Sequence, residues 1–280
     1  MAARKYELGR LVTYAYCSMQ YHLRYDLKLP WGPVTAEAGF AIVLRESFRE
    51  FFRCLTVPAL RLRANEYGRS VMNSGMDIFS RSFPKAMTVH RRGEYATAVG
   101  AFIDTVYVFH RDRAIGFDIP RTVHVESGDD TISVDGTLDF AFWQMAGQAT
   151  ESAVAVTIVG KDDPLEDLVN LEPLRIGFAI SSVLDGKSHD VMAQHKSFPV
   201  FDRKITRPGT SRQRLLAFER TVRAIDRGIV NRVFIPQSSP EKCAHCPFKT
   251  VCNASLVDED QISTRTNVSD PFAGWPKRKT

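Results

Sequence analysis

The sequence predicts an α/β protein: a small mixed sheet flanked by helices, with a helical insertion before it and a metal-binding region near the C-terminus. Two observations carry this. The apolar spacing changes from three and four residues to two near residue 113 and returns to three and four further on. Three cysteines cluster near the C-terminus as Cys243-Ala-His-Cys246-Pro-Phe-Lys-Thr-Val-Cys252. A C-x2-C pair grips one metal from a single turn, and a third thiolate leaves one place in a four-ligand site. The chain has 5 cysteines, so the fourth ligand comes from Cys17, Cys54 or His245.

The chain of 280 residues is 44% hydrophobic and 25% charged, the balance of a globular protein with a sizeable core. No apolar run is long enough to span a membrane, and the first residues lack the apolar stretch of a secretory signal. Few, clustered cysteines suit a reducing compartment and a metal site better than a disulfide framework, so the expected location is cytoplasmic. A formal net charge of +5 favours an acidic partner such as nucleic acid.

Taken in order, residues 8–25 form a helix with Leu8, Leu11, Val12, Ala15, Tyr16, Met19 and Leu23 on its apolar face and Cys17 within it. Leu29-Pro-Trp-Gly-Pro33 breaks it. A second helix over 35–55 carries Phe40, Val43, Leu44, Phe48, Phe51 and Phe52 inward. Cys54 at its end sits in an apolar run and reads as a core cysteine. Two further helices are expected over 64–83 and 94–112, separated at Arg91-Arg92-Gly93.

Short strands follow at 115–119, 122–126, 131–134 and 138–143, with turns at Ser127–Asp130 and at Asp135-Gly136. Within the last of these, Phe140 and Trp143 alternate as core residues. Ala153–Val159 is continuously apolar, as a strand buried on both faces would be. A helix over 166–183, a strand over 190–201 and a helix over 211–227 complete the core. The last is capped by Ser211, ended by Gly228, and buries Leu215, Leu216, Phe218, Val222 and Ile225. The expected domain runs from 1 to 257. Its cluster region is 8–30 with 236–256, its helical insertion about 56–112 and its sheet core about 113–235. Residues 258–280 form a polar tail that orders against a partner, with Phe272, Trp275 and Lys277-Arg278-Lys279 as anchors.

This order of elements, with Tyr16-Cys17, Tyr21-His22-Leu23-Arg24-Tyr25 and Cys243-x2-Cys246-Pro-Phe-x3-Cys252, resembles the iron–sulfur branch of the PD-(D/E)XK nuclease superfamily. That RecB-like group includes the CRISPR-adaptation exonucleases and the AddB subunit of helicase–nucleases. The resemblance covers roughly residues 8–255. It implies a restriction-endonuclease-like core and a 4Fe–4S cluster on Cys17, Cys243, Cys246 and Cys252 that staples the chain ends; zinc is the alternative, since thiolates serve both. His22 then reads as a helix-surface or supporting residue and His245 as exposed.

The resemblance also locates the catalytic positions. Asp118 in Phe-Asp-Ile-Pro matches the accessory acid, and Asp139 in Gly136-Thr-Leu-Asp matches the metal-binding aspartate. Val43 stands where active members carry histidine, and Thr157 and Val159 where they carry the acid and the lysine. Leu174 and Phe178 replace the Gln and Tyr of the helix motif. Asp118 and Asp139 alone supply too little charge to hold Mg²⁺ or Mn²⁺, and no group remains to activate water. Arg24, Lys161, Lys196, Arg203 and Lys204 become candidates to line a nucleic-acid groove. The expected function is a non-cleaving DNA-binding or scaffolding subunit of a larger nucleic-acid machine. The alternatives are an active Mg/Mn-dependent exonuclease with a motif relocated to Lys161, Asp162 and Asp163, and a purely structural component of an assembly, perhaps viral.

Overall fold

The computed structural model describes residues 4–30, 36–55, 64–102, 114–146, 150–159, 172–184, 192–199, 211–237, 243 and 246–252. They form a mixed five-stranded sheet with helices packed against it. The elements are β1 (Arg4–Glu7), α1 (Leu8–Tyr16), α2 (Ser18–Tyr21), α3 (Ala36–Leu55), α4 (Ala64–Ser82), α5 (Val89–Phe102), β2 (Ala114–Ser127), β3 (Asp130–Ala146), β4 (Thr150–Val159), α6 (Glu172–Leu184), β5 (Met192–Pro199), α7 (Ser211–Val230) and α8 (Lys249–Cys252).

The centre of the sheet is β3. It pairs antiparallel with β2 along one edge. Its other edge is shared: β1 runs parallel to Ile132–Asp135, and β4 runs antiparallel to Phe140–Ala146. Strand β5 adds in parallel to β4. The expected short strands therefore fuse in pairs into β2 and β3, and neither break predicted inside them forms. Pro120, which has no N–H to donate, is accommodated because β2 pairs on one edge only among the described residues. Asp135-Gly136 continues β3 instead of turning, since both residues pair with β2 at Thr122 and Arg121. Gly136 is used for proximity: a Cβ there would lie 2.6 Å from the Phe178 ring.

Helices α1, α6 and α7 bury one face of this sheet. Leu11, Val12 and Tyr16 of α1 meet Val125, Ile132 and Val134 of the strands, Leu174 and Phe178 of α6, and Phe218, Val222 and Ile225 of α7. Leu216 is exposed, contrary to its expected inward position, while Leu215 packs beside Ile176 and Ile180. Helix α7 passes through Gly228 to Val230. Gly228 lets the Tyr14 ring close on the helix, for a Cβ would come within 2.1 Å of its hydroxyl. Chain reversal falls to Arg232 at φ 55°, where Arg232 N–H bonds the Ile229 carbonyl and Val233 N–H bonds that of Gly228.

Strand β1 is absent from the sequence-based expectation. Its four residues carry no apolar pattern, and its hold on the sheet is largely polar. Arg4 bridges to Asp226 at 3.0 Å and Asp130 at 3.2 Å, and the Tyr6 hydroxyl donates to Asp226 at 2.9 Å. Burial and the Asp226 carboxylate push the Tyr6 hydroxyl well above its usual pKa. Among the inserted helices, Tyr95 stacks edge-on against Phe40, which meets Phe79 in the same way, and its hydroxyl bonds Ser47. Helix α5 begins at Val89, so Arg91-Arg92-Gly93 lies within it; residues 103–112 of the expected helix fall outside the described residues, as do 166–171. No helix among the described residues is long and apolar enough to cross a membrane.

Helices α6 and α7 touch through Gly177, where a Cβ would stand 2.2 Å from Phe218 Cβ. Gly177→Ala should force this pair apart and cost about 1–3 kcal/mol in urea unfolding, an overpacking penalty. An unchanged midpoint would show that the pair can separate freely.

Candidate functional site

The long helix expected over residues 8–25 is interrupted at Cys17. There the backbone is extended, at φ −160° and ψ 110°, between α1 and α2. The two helices stay coupled, because Cys17 N–H bonds the Thr13 carbonyl and Tyr21 N–H bonds that of Cys17. Residues His22–Asp26 then widen into a π turn, a form often found at functional sites. Leu29 N–H closes it on the Leu23 carbonyl, with Lys28 at φ 55°.

The C-terminal segment is tied to this broken helix. The Tyr14 hydroxyl donates to the Val233 carbonyl at 2.6 Å. The Ser18 hydroxyl donates to the Ile235 carbonyl at 2.9 Å and accepts its N–H at 2.8 Å. Phe234 stacks on the His22 ring at 4.5 Å, while His22 Nδ1 bonds Asp26 at 2.9 Å. Further on, Phe248 is buried against Leu23 and Leu29, and Cys246, Val251 and Cys252 pack around them. Cys246 N–H turns back to the Cys243 carbonyl at 3.2 Å, and Cys252 N–H bonds Phe248 at 2.8 Å.

Cys17, Cys243, Cys246 and Cys252 are free, half-buried thiols. Burial raises the Cys246 thiol above its usual pKa, and Cys17, Cys252 and Cys243 push it in the same direction. Cys252 is raised by burial and by Cys17 and Cys243. Cys246 and Cys252 thus each feel both Cys17 and Cys243. Among the described residues no three metal-binding side chains are closed around a common point. Cys54 lies in α3 with its side chain outside the described residues, as is His245.

Of the positions that the resemblance matches to catalytic ones, Asp118, Asp139, Thr157 and Val159 fall on the sheet, and Val43, Leu174 and Phe178 on helices. Phe117 pairs with Phe140 and Ile119 with Leu138, which sets Asp118 across from Asp139. The β3–β4 ladder ends at Phe140–Val156. Asp139 and Thr157 are the first positions beyond that end, where β4 continues beside β5 with Thr157 opposite Ser197 and Val159 opposite Pro199. The side chains of Asp118, Asp139, Phe140, Trp143, Thr157, Val159 and Lys196 lie outside the described set. Val43 is fully buried in α3, and its carbonyl accepts from Ser47 at 2.8 Å. Leu174 and Phe178 are buried in α6.

Of the basic candidates, Arg24 lies 4.9 Å from the Tyr25 ring, as does Arg10. Lys161, Asp162, Asp163, Arg203, Lys204 and the tail from 253 onward lie outside the described residues. Sequence reasoning missed a different basic group. Arg45 and Arg49 of α3 and Arg175 of α6 line a cavity of about 620 Å³ beside Gly136–Leu138 of β3. Arg45 and Arg49 stand one helical turn apart, which the sequence does show; their meeting with Arg175 is tertiary.

No family model matches this chain, and no curated protein matches it. Among solved structures, one titled "Crystal structure of SSO0001" aligns over 91% of this chain and 89% of that one, at 8% identity and a TM-score of 0.40.

Ser18 holds both polar backbone groups of Ile235. Ser18→Ala should lower stability by about 1–2 kcal/mol and speed hydrogen exchange at Ile235, with residues 243–252 becoming more sensitive to protease. Unchanged exchange at Ile235 would mean that the aromatic contacts alone hold the segment.

Proposed function

We propose that this protein is a catalytically inert nuclease-fold subunit, stapled by a four-cysteine metal centre, that binds DNA without cutting it. The observation that carries this reading is the register around Asp139. One rung holds Asp118 and Asp139, and the third strand brings Thr157 to the same level. A nuclease of this kind needs another carboxylate there to complete a Mg²⁺ site, and a lysine two residues on to polarise water. Threonine and valine supply neither charge. Val43, buried without exposure, offers no imidazole in compensation.

The four-thiol set supports the metal centre. Burial, with the neighbouring thiols, raises Cys246 and Cys252, so these two keep their protons unless a cation compensates the thiolates. Cys17 sits at a helix break and the other three in one short turn-rich segment, so Cys17, Cys243, Cys246 and Cys252 would hold a 4Fe–4S cluster, or zinc in its place. Such a group supplies cross-linking of distant segments. Ser18, Tyr14 and Phe248 already align the two segments that it would join. The net charge of +5 favours DNA as the ligand, and a partner subunit is the natural seat for the polar C-terminal residues.

Purified without oxygen, the protein should absorb broadly near ~400 nm and carry about four irons per chain. Cys17→Ala should lose the metal as fully as Cys246→Ala. One stoichiometric zinc in a colourless protein would replace the cluster by a zinc staple, and retained iron in Cys17→Ala would remove Cys17 from the ligand set.

With Mg²⁺ or Mn²⁺, neither single- nor double-stranded DNA should be cleaved above background, and Asp139→Ala should change nothing. DNA binding should weaken steeply with salt, as phosphate contacts do. Mn²⁺-dependent cleavage abolished by Asp139→Ala would restore the enzyme, and the absence of DNA binding at low salt would leave a structural role.

A further inference from the structure

The outward side of α7 takes no part in the contacts that build the core. The helix carries five arginines and two acids, a surplus of three in one element of a chain whose whole surplus is +5. Its inward side is occupied: Phe218, Val222 and Ile225 are buried with residues of α1, α6 and the strands. Positions 212, 216, 220, 223 and 227 follow at steps of three or four residues and so share one side of the helix. They are Arg212, Leu216, Arg220, Arg223 and Arg227. Arg223 is half-buried and the other four are exposed, which puts this stripe on the solvent side.

The two acids of α7 do not neutralise the stripe. Asp226 is 2% exposed and is bound from within by Arg4 at 3.0 Å and the Tyr6 hydroxyl at 2.9 Å. Glu219 is taken by Arg223 at 2.9 Å, and Arg223 also donates to the Glu126 carbonyl. Arg227 spends one N–H on the Arg223 carbonyl at 3.4 Å. Arg212 and Arg220 have no hydrogen bond or ion pair among the described residues. Three guanidiniums are thus left to solvent, at intervals of about two helical turns, or ~11 Å. A strand of duplex DNA passes about three phosphates in that length, so each arginine meets a separate one.

We infer that Arg212, Arg220 and Arg227 form a phosphate-contacting stripe that binds the outside of duplex DNA without reading its sequence. This rests on the DNA-binding reading above and adds where, in which form and by which groups the DNA is held. Proteins that hold single strands combine a basic groove with aromatic faces on which bases stack. The stripe is a convex helix surface with no aromatic residue, and a duplex keeps its bases stacked inside. Basic helices that lie on membranes sink a free apolar face into lipid. That face of α7 is already spent on the core, and Leu216 is the one apolar residue of the stripe. The buried side of α7 lies between the stripe and the sheet that carries Asp118 and Asp139, so DNA held here is held apart from that rung.

The experiment is a salt titration of binding to a short fluorescein-labelled duplex, using the full chain purified without oxygen. Each phosphate contact on duplex DNA contributes about 0.9 to the slope of log K against log salt. The R212Q/R220Q/R227Q variant should therefore lose about 2.7 units of slope and bind at least ~10-fold more weakly at moderate salt. R212K/R220K/R227K, which keeps the charge, should retain the parent slope. A charge-matched comparator, R69Q/R81Q/R92Q, removes three exposed arginines of α4 and α5 and should stay within about threefold of the parent protein. Should the triple glutamine variant fail to fold, R212Q, R220Q and R227Q are measured singly, each expected to lose about 0.9 of slope. Parent-like binding by the glutamine variants overturns the stripe and leaves DNA binding intact. Equal weakening by the comparator assigns the effect to bulk charge, and equal weakening by the lysine variant assigns it to something other than charge; either overturns the stripe. A parent protein that binds oligothymidylate but not the duplex overturns the stripe alone. One that binds neither nucleic acid, or binds only phosphatidylserine vesicles, overturns both readings.

Discussion

A strand has two edges, and β3 has three strand partners. That constraint organises the rest of the structure. Strand β2 occupies one edge along its length, so β1 and β4 must divide the other. The division leaves Gly136–Asp139 uncovered on that side among the described residues. The same few residues end the β3–β4 ladder, carry Asp139 and floor the arginine cavity. Unpaired strand edges are usually blunted by charge or cover. Here three helices stand around the gap: α3 and α6 bring Arg45, Arg49 and Arg175 to the cavity, and α1 brings Leu8 and Val12.

The helices reach these positions through close contacts that demand small residues. Gly136 lets Phe178 down onto β3, Gly177 lets Phe218 against α6, and Gly228 lets Tyr14 against α7. The last contact does two things. It seats α1 on α7, and it aims the Tyr14 hydroxyl at Val233. From there the chain follows Ser18 and Phe248 back to Cys17. The meeting of the chain ends therefore stands on hydrogen bonds and aromatic packing, and a bound metal would lock a geometry that these contacts already approach.

Much of the architecture was legible in the residues. Helices α3, α4, α6 and α7 show their apolar faces at helical spacing, and β4 and β5 stand where continuous apolar or alternating runs place them. The errors share one cause. Asp-Gly and Pro are local signals for turns and breaks, and the sheet overrode them by pairing β2 with β3 across both. The helix through Cys17 was expected to be continuous because its apolar spacing is unbroken. Beside its interruption, the C-terminal segment engages Ser18 from 217 residues away. Strand β1 has no pattern to read, since its partners Asp130 and Asp226 are remote in the chain.

The sequence by itself determined the α/β class, the clustering of Cys243, Cys246 and Cys252, and the absence of an acid, a lysine or a histidine at Thr157, Val159 and Val43. These follow from residue identity and short-range spacing, which the linear order records directly. Only the tertiary structure decided that β1 and β4 share an edge of β3, that Cys17 sits at a break, and that Arg45, Arg49 and Arg175 surround one cavity. Those depend on which distant surfaces bury each other, and burial is a property of the packed chain: Arg45 and Arg175 are separated by 130 positions and become neighbours of one cavity only when α3 and α6 close around the uncovered stretch of β3.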